Sequence, residues 1–555
     1  MRNTLPELLL EKFSEFSDKA ILFEKENKKY RGKTGKELSE MIYQFSYYLL
    51  LQGLKPGDRV GIFAPNGILW VVSDLAILLS GGIVVPLHTT HNKILLEIIL
   101  KDAGVSMVIY DEKLLEKLPN SANGNNTKKI SSNQIKEIIF HKKIVEKELP
   151  HISPEDTATI VYTSGTTGAP KGVMLSHQNI LSNIKGALSQ IPVFPQDRFL
   201  SFLPLSHIFE RTAGYYTPLS EGASIYYVEN PKITLRDNIR EVQPSILISV
   251  PRIFEKIEEN IWNTIEKKGK WKKHLFLWAM KQNPQNFQYT LAKWLVMKKI
   301  QKIFGGKLRL ALSGGAALSP RIAKFFQKIG ITILEGYGLT ETSPVISVNT
   351  QERKKIGSVG HLLPEVQVKL TPEKEILVFG PNVMKGYWRN EDETKKILDN
   401  DHWIHTGDLG FFDQNGFLHI IGRKKEMLVL STGKNIWPEA IEQLLNSDPF
   451  IAQSIIIGHQ QSFIVALIVP EWNKIENSLR ENKENLFLYF QNRINNILLH
   501  LPHYEQVIQF TLLQEEFKEE HDELTPTLKL RRSIIVQHYQ NEIKKMYISG
   551  RGKNE

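Results

Sequence analysis

The sequence predicts an α/β protein in two parts: a large N-terminal domain of layered α/β units, then a smaller α+β domain. Three observations carry that expectation. A chain of 555 residues is too long for one hydrophobic core. From Ile21 to Leu430, short β-type runs alternate with longer amphipathic stretches, the pattern of parallel sheets covered by helices. Beyond Leu370 a second register begins, with strand-like pieces around a polar turn and then a highly charged run.

The β-type runs in the first part are Arg59 to Phe63, Ser106 to Tyr110, Ala158 to Tyr162, Ser224 to Val228, Ile246 to Val250, Leu308 to Ser313 and Ile331 to Leu334. Gly53, Pro56-Gly57 and Gly81-Gly82 punctuate them as turns. The stretch from Asn120 to Asn133, rich in Asn, Ser and Lys, reads as a surface loop. In the second part, Glu375 to Phe379 and Leu418 to Ile421 flank the turn Asp413 to Gly416. A helix is expected over Pro438 to Leu445, with strands over Gln453 to Gly458 and Ser462 to Val469. The expected division is residues 1–422, a basic hinge at 423–427, and a C-terminal domain at 428–555.

There is no cysteine, which excludes disulfides, thiolate metal sites and a cysteine nucleophile. Met1 to Phe16 lacks the long apolar core of a signal peptide. The most apolar window, Val71 to Leu87, carries Asp74 and is broken by two glycines, so it is too short to span a bilayer. The chain is expected in the cytoplasm. Its net charge of +10 suits a nucleic acid, an anionic membrane surface, a polyanionic small molecule or a plain lysine-rich surface, and charge alone does not choose. No helix-turn-helix, zinc-knuckle or aromatic RNA-binding signature appears, so no nucleic-acid partner is expected. Trp271, Leu275 and Trp278 share one helical face among Lys267, Lys268, Lys270, Lys272, Lys273 and Lys281, a pattern that fits either an ordinary amphipathic helix packed on its own core or a helix on the inner, anionic face of a membrane.

The segment Tyr162-Thr163-Ser164-Gly165-Thr166-Thr167-Gly168-Ala169-Pro170-Lys171-Gly172 follows an apolar β-run. Its glycines let backbone approach a phosphate, its hydroxyls can donate to phosphate oxygens, and Lys171 adds positive charge. No Gly-Lys-Ser/Thr closes it, so it is not the common P-loop. Gly32-Lys33-Thr34 is a decoy, because Asn27 occupies the place of the required upstream glycine.

This segment resembles the nucleotide-binding signature of the adenylate-forming superfamily, which includes acyl-CoA synthetases, luciferases and peptide-synthetase adenylation domains. Further similar segments follow in the family's order. The resemblance implies a small β-barrel-like piece within the large domain and a mobile C-terminal domain. Gly315 and Ala316, in Leu312 to Ala317, would border an adenine. In Glu335-Gly336-Tyr337-Gly338-Leu339-Thr340-Glu341-Thr342, Tyr337 offers a ring for stacking and Thr340 a hydroxyl for the α-phosphate. Glu341 is a hard oxygen ligand for Mg²⁺, with Thr166 as a second candidate. Asp408, in His405 to Leu409, matches an acceptor for ribose hydroxyls, and Arg423 a second ribose contact. Lys425 matches the hinge position, and Lys529, in Thr525 to Arg532, the catalytic cation that a carboxylate attacking a phosphate requires.

The segment from Phe202 to Arg211 is similar to the wall of an acyl pocket, with His207 near the carboxylate. Ile208 stands where amino-acid-activating relatives place an Asp, which argues against an amino-acid substrate. Segments Ser249 to Lys256 and Lys424 to Leu430 look most like long-chain acyl-CoA synthetases, and Gly433 lies in a segment similar to the CoA thiol tunnel. The resemblance therefore implies ATP, Mg²⁺, coenzyme A and a fatty acid as ligands, and it leaves a homodimer open. Fatty acyl-AMP ligases and acyl-carrier-protein synthetases share every nucleotide motif; a catalytically idle lipid-binding relative would not need Lys529, Glu341 and Asp408 together. His88 and His91 form a His-x-x-His pair without a third ligand nearby in sequence.

Overall fold

The computed structural model describes residues 4–119, 127–141, 144–163, 170–282, 290, 292, 296–525 and 530–550. Two compact units divide the chain. The first contains residues up to Leu318, then Ile322–Lys369 and Leu377–His405; the second gathers Ser319–Arg321, Leu370–Ile376 and Thr406–Glu555. The division at 405/406 lies upstream of the expected hinge at 423–427.

The first unit is built on two sheets. A seven-stranded sheet runs in the order Gly386–Tyr387, Lys171–Ser176, Thr157–Thr163, Ile83–Pro86, Arg59–Phe63, Met107–Tyr110, Lys128–Ser131. The strands from Thr157–Thr163 onward pair in parallel, as the alternating pattern implied. Lys171–Ser176 instead folds back antiparallel on Thr157–Thr163, with Thr163 opposite Lys171. A nine-stranded sheet places Ile246–Ser249, Leu310–Ser313 and Ile333–Gly338 side by side in parallel. The stretch expected as a loop over 120–133 differs in its second half. Lys128–Ser131 is a strand paired in parallel with Met107–Tyr110, and the helix Ser132–His141 begins at once. Ile130 supplies the reason, since it is buried beneath that edge.

The apolar window over 71–87 becomes a helix, Ile68–Leu79, buried at every position except Leu69, followed by the strand Ile83–Pro86. A helix hydrophobic on all sides belongs inside a protein. Among the described residues no helix is long and apolar enough to cross a membrane.

In the second unit, strands Ile451–Ile457, Ile464–Pro470 and Val507–Leu512 form a sheet with the central strand buried on both faces. Ile464, Ala466 and Ile468 pack beneath helices Pro438–Asn446 and Lys483–Leu498. Val465, Leu467 and Val469 pack on the other side, against Ile535, Ile543 and Met546. That split is the period-2 alternation of a strand put to use twice. The strand pieces expected at Glu375 to Phe379 and Leu418 to Ile421 lie in a four-stranded sheet, in which Ile404–Phe412 and Leu418–Arg423 form an antiparallel hairpin.

Candidate active site

The expected phosphate segment connects strands Thr157–Thr163 and Lys171–Ser176, which pair antiparallel. Ser164, Gly165, Thr166, Thr167 and Gly168 fall outside the described residues; Thr163 and Lys171 are the described ends of the turn. Gly172 is glycine for a steric reason: a Cβ there would lie 2.7 Å from Ile160 Cγ2. Beyond the hairpin, Ser176 caps the helix His177–Gln190 through a reciprocal pair of bonds with Asn179.

Lys171 forms an ion pair with Glu393 and lies 5.3 Å from the Tyr387 ring centroid. The Tyr387 hydroxyl donates to Glu341 Oε1 at 2.9 Å. The hydroxyl's pKa is raised by burial first and by the Glu341 carboxylate second. The Lys171 and Lys396 ammonium groups hold Glu393 down to about 2. Four side chains from four separate segments thus converge at the end of the hairpin that carries the phosphate turn.

Thr340 and Glu341 lie on a short 3₁₀ turn, Thr340–Thr342. Buried amides hold this turn from behind. Asn183 Nδ2 donates to the Val345 carbonyl at 2.7 Å, and Asn382 Nδ2 donates to the Thr342 carbonyl at 3.0 Å. Gly338 must be glycine, because a Cβ would lie 1.8 Å from the Pro344 carbonyl oxygen. Gly336 and Tyr337 remain partly exposed on the same strand. Glu335 is buried, and burial pushes its carboxyl up to about 7. Its Oε2 accepts the Leu318 N–H at 3.3 Å, which ties this strand to the loop carrying the exposed Gly315 and Ala316. A cavity of about 300 Å³ opens beside Glu335, lined also by Ala323, Gln327 and Asn349.

In the segment expected to wall an acyl pocket, His207 follows Ser206, whose Oγ lies 2.8 Å from His88 Nδ1. The His88 and His91 rings meet edge-to-face at 5.0 Å, and those of His88 and His207 lie 6.4 Å apart. Burial lowers His88 to about 3 and His91 to about 4, so both are neutral at pH 7. No cluster of three metal-ligating side chains occurs among the described residues.

The second unit carries its own part. Asp408 and Arg423 face each other in the hairpin register, with Asp408 Oδ1 3.1 Å from Arg423 Nε. Asp408 is buried and Arg423 only partly so. Lys424 pairs with Glu375 at 2.8 Å, whereas Lys425 is exposed on the 3₁₀ turn Lys424–Glu426. Gly433, at φ +75°, closes the small hairpin Leu428–Val429/Asn435–Ile436. Lys529 lies outside the described residues. Among the described residues on either side, Leu524 and Leu530 form an antiparallel bridge, and Arg532 grips Glu442 at 2.7 and 2.9 Å.

Residues 10–388 match the AMP-binding enzyme family, and residues 425–550 match the AMP-binding enzyme C-terminal domain. The chain belongs to the AMP-binding enzyme family. Within it, the chain is 31% identical to the long-chain-fatty-acid–CoA ligase FadD15 of Mycobacterium bovis, over 92% of this chain and 91% of that one. It is 28% identical to the chloroplastic long-chain-fatty-acid–[acyl-carrier-protein] ligase AEE15 of Arabidopsis thaliana, over 93% and 82% of the two chains. The adenylation domain of a carboxylate reductase from Mycobacterium chelonae shares the fold, with a TM-score of 0.82 at 20% identity, over 98% of this chain and 91% of that one.

Several residues of this candidate site were not legible as site residues in the sequence. Tyr387 and Glu393 lie more than 200 positions from Lys171, and no periodicity marks them. Asn183 and Asn382 look like ordinary helix and turn residues. The Gly386-Tyr387-Trp388 run was the one local signal, aromatics after a glycine at φ +135°, where a Cβ would lie 2.9 Å from Thr394 Cγ2.

Proposed function

We propose that this protein activates a long-chain fatty acid with ATP and transfers the acyl group to coenzyme A. In the first half-reaction a fatty carboxylate oxygen attacks the α-phosphorus of ATP, the bond to the bridging oxygen breaks, and pyrophosphate leaves with the electron pair. In the second, the CoA sulfur attacks the acyl carbonyl, its proton is lost, and AMP leaves. The observation that carries this reading is the convergence of Lys171, Tyr387 and Glu341 beside the phosphate hairpin of an AMP-binding family member.

The residues divide the work by chemistry. Thr163, the hydroxyls and amides of 164–168, and Lys171 receive the outer phosphates; Lys171 exchanges Glu393 for a phosphate oxygen when ATP binds. Tyr337 stacks on adenine, beside Gly315, Ala316, Glu335 and Gly336, while Asp408 and Arg423 take the ribose. Thr340 donates to the α-phosphate, and Lys529 supplies the cation that offsets charge developing there. Glu341, one carboxylate next to hydroxyls, suits Mg²⁺, an ion that takes few protein ligands and fills its shell with phosphate oxygens and water. When bound, Mg²⁺ would neutralise phosphate charge. His207 faces the carboxylate end of the acid. Lys425 is the hinge between half-reactions, and Gly433 lines the thiol's path.

An acyl-carrier protein is the second acceptor to consider, favoured by the similarity to the AEE15 ligase. A weaker proposal is collection of substrate at an anionic membrane surface on the cytoplasmic side through Trp271, which is 73% exposed; of the rest of the expected face, Leu275 is half-buried and Trp278 packs on Ala279, Ala292 and Met297. The test is thioester formation with C2 to C18 acids, with CoA or acyl-carrier protein offered in parallel. The expected result is CoA-thioester formation that peaks at long chains and requires added Mg²⁺. No acid-dependent AMP release with any chain length would overturn the reading.

A further inference from the structure

Two segments proposed above for the chemistry meet on one buried guanidinium, and the strand that leads to His88 joins them through Thr159. Strand Ile83–Pro86 runs into His88, strand Thr157–Thr163 runs into the phosphate turn, and the helix Glu210–Tyr216 follows His207 directly. Arg211, on that helix, is fully buried. Its Nη1 donates to Thr159 Oγ1 at 2.7 Å, and its Nη2 pairs with Asp74. The Thr159 hydroxyl passes the link on, donating to the Val84 carbonyl at 2.8 Å. Val84 and Thr159 are also register partners across the parallel pair. At the other end, the Arg211 N–H donates to the His207 carbonyl at 3.0 Å.

The helix has the wider π winding, which brings residues five apart above one another and is common at functional sites. Here it lets Arg211, Tyr215 and Tyr216 reach the same carboxylate. The two tyrosine hydroxyls donate to Asp74 Oδ2 at 3.0 and 2.7 Å. An apolar replacement for a buried ion pair is often no less stable, because desolvation offsets the attraction. A sealed pair of this kind therefore makes more sense as a device that fixes position than as a source of stability.

We propose that Arg211 and Thr159 are positioning residues for acyl-adenylate formation, holding the strand that enters the phosphate turn at a fixed separation from the His207 segment. The inference rests on the fatty-acid activation proposed above. A carboxylate attacking phosphorus must be held within roughly 3–3.5 Å and aligned, so small errors in that separation cost rate. Transfer from a finished acyl-AMP no longer depends on that alignment. Neither residue touches substrate in this assignment; each acts through the segments it joins.

Thr159→Val keeps the shape and removes the hydroxyl, whereas Thr159→Ser keeps the hydroxyl. In the full-length protein, Thr159→Val should lower the turnover number of fatty-acid-dependent pyrophosphate exchange at least ~10-fold. The KM for ATP and the conversion of supplied acyl-AMP to acyl-CoA should stay within about 2-fold, and Thr159→Ser should restore exchange to within about 2-fold. Equal loss of both half-reactions, or a Ser variant as slow as the Val variant, overturns the inference. Amide hydrogen exchange over residues 203–209 gives a readout independent of activity. Thr159→Val should accelerate it at least ~10-fold and Thr159→Ser should not. Unchanged protection in the Val variant also overturns the inference. A wild-type protein inactive toward every acid would sink the proposed function instead, leaving the exchange data to decide on the crosslink.

Discussion

Two charge clusters in the first unit differ in their access to water, and the difference separates scaffold from site. Asp74 and Arg211 are sealed, at 0% exposure each, and every partner comes from the protein's own interior. Lys171 and Glu393 each keep about a quarter of the side chain exposed, beside the Tyr387–Glu341 hydrogen bond. A sealed pair has no competitor and cannot change partners without unfolding. An open pair competes with water and anions at all times, so a phosphate can replace one member at little cost. Burial of charge marks what must not move, and half-burial marks what can be handed to a substrate.

The largest expected effect tests the sealed side. Asp74→Ala leaves Arg211 buried without its countercharge and should destabilise the protein by about 3–5 kcal/mol in denaturant titrations. Glu393→Gln should leave the thermal midpoint within about 2 °C. Comparable losses of stability in the two variants would break the distinction.

Next in size is a catalytic effect with no stability counterpart. Glu341→Gln keeps the shape but removes the negative charge that faces a divalent ion. Acid-dependent AMP formation should fall at least ~10²-fold, about 2.7 kcal/mol in the barrier, at an unchanged thermal midpoint. An unaltered rate at limiting Mg²⁺ would remove Glu341 from the metal assignment.

Glu210 sharpens the sealed side through pH. It is buried, accepts a hydrogen bond from Ser201 Oγ at 2.6 Å, and burial raises its pKa from 4.5 to about 8. Between those values the native state holds a proton that the unfolded chain has released. Its contribution to stability therefore falls as pH rises from 4.5 to 8, by up to about 1.4 kcal/mol per pH unit. Glu210→Gln mimics the protonated form. Its unfolding free energy relative to wild type should increase by at least ~1 kcal/mol between pH 5 and pH 8. A difference that stays flat with pH would mean that Glu210 is ionised in the folded protein.

The smallest effect belongs to the open pair. Glu393→Gln frees Lys171 from its resting partner, so the KM for ATP should fall by about 2- to 5-fold while turnover holds. A higher KM would show that Glu393 positions Lys171 rather than competing for it.

The sequence by itself determined the elements and the chemistry of the motifs. Arg59–Phe63 appears with the expected bounds, and the helix at Pro438 and the strands at 451–457 and 464–470 fall within a few residues of their expected places. Tyr337, Glu341 and Asp408 stood out as candidates because hydroxyls, carboxylates and glycines cluster within single short segments. Asp408 and Arg423 were legible as separate matches, and their pairing followed from hairpin register. Strand and helix periods are local, so a local pattern suffices to specify them. The tertiary structure alone decided that Tyr387 would meet Glu341, that Glu393 would hold Lys171, and that Asp74, read from the sequence as an interruption in an apolar window, would seal Arg211 against Thr159. Those contacts join residues 46 to 222 positions apart. Nothing in the spacing of a chain encodes such a meeting, because it depends on how whole sheets pack and which polar groups that packing leaves in need of partners.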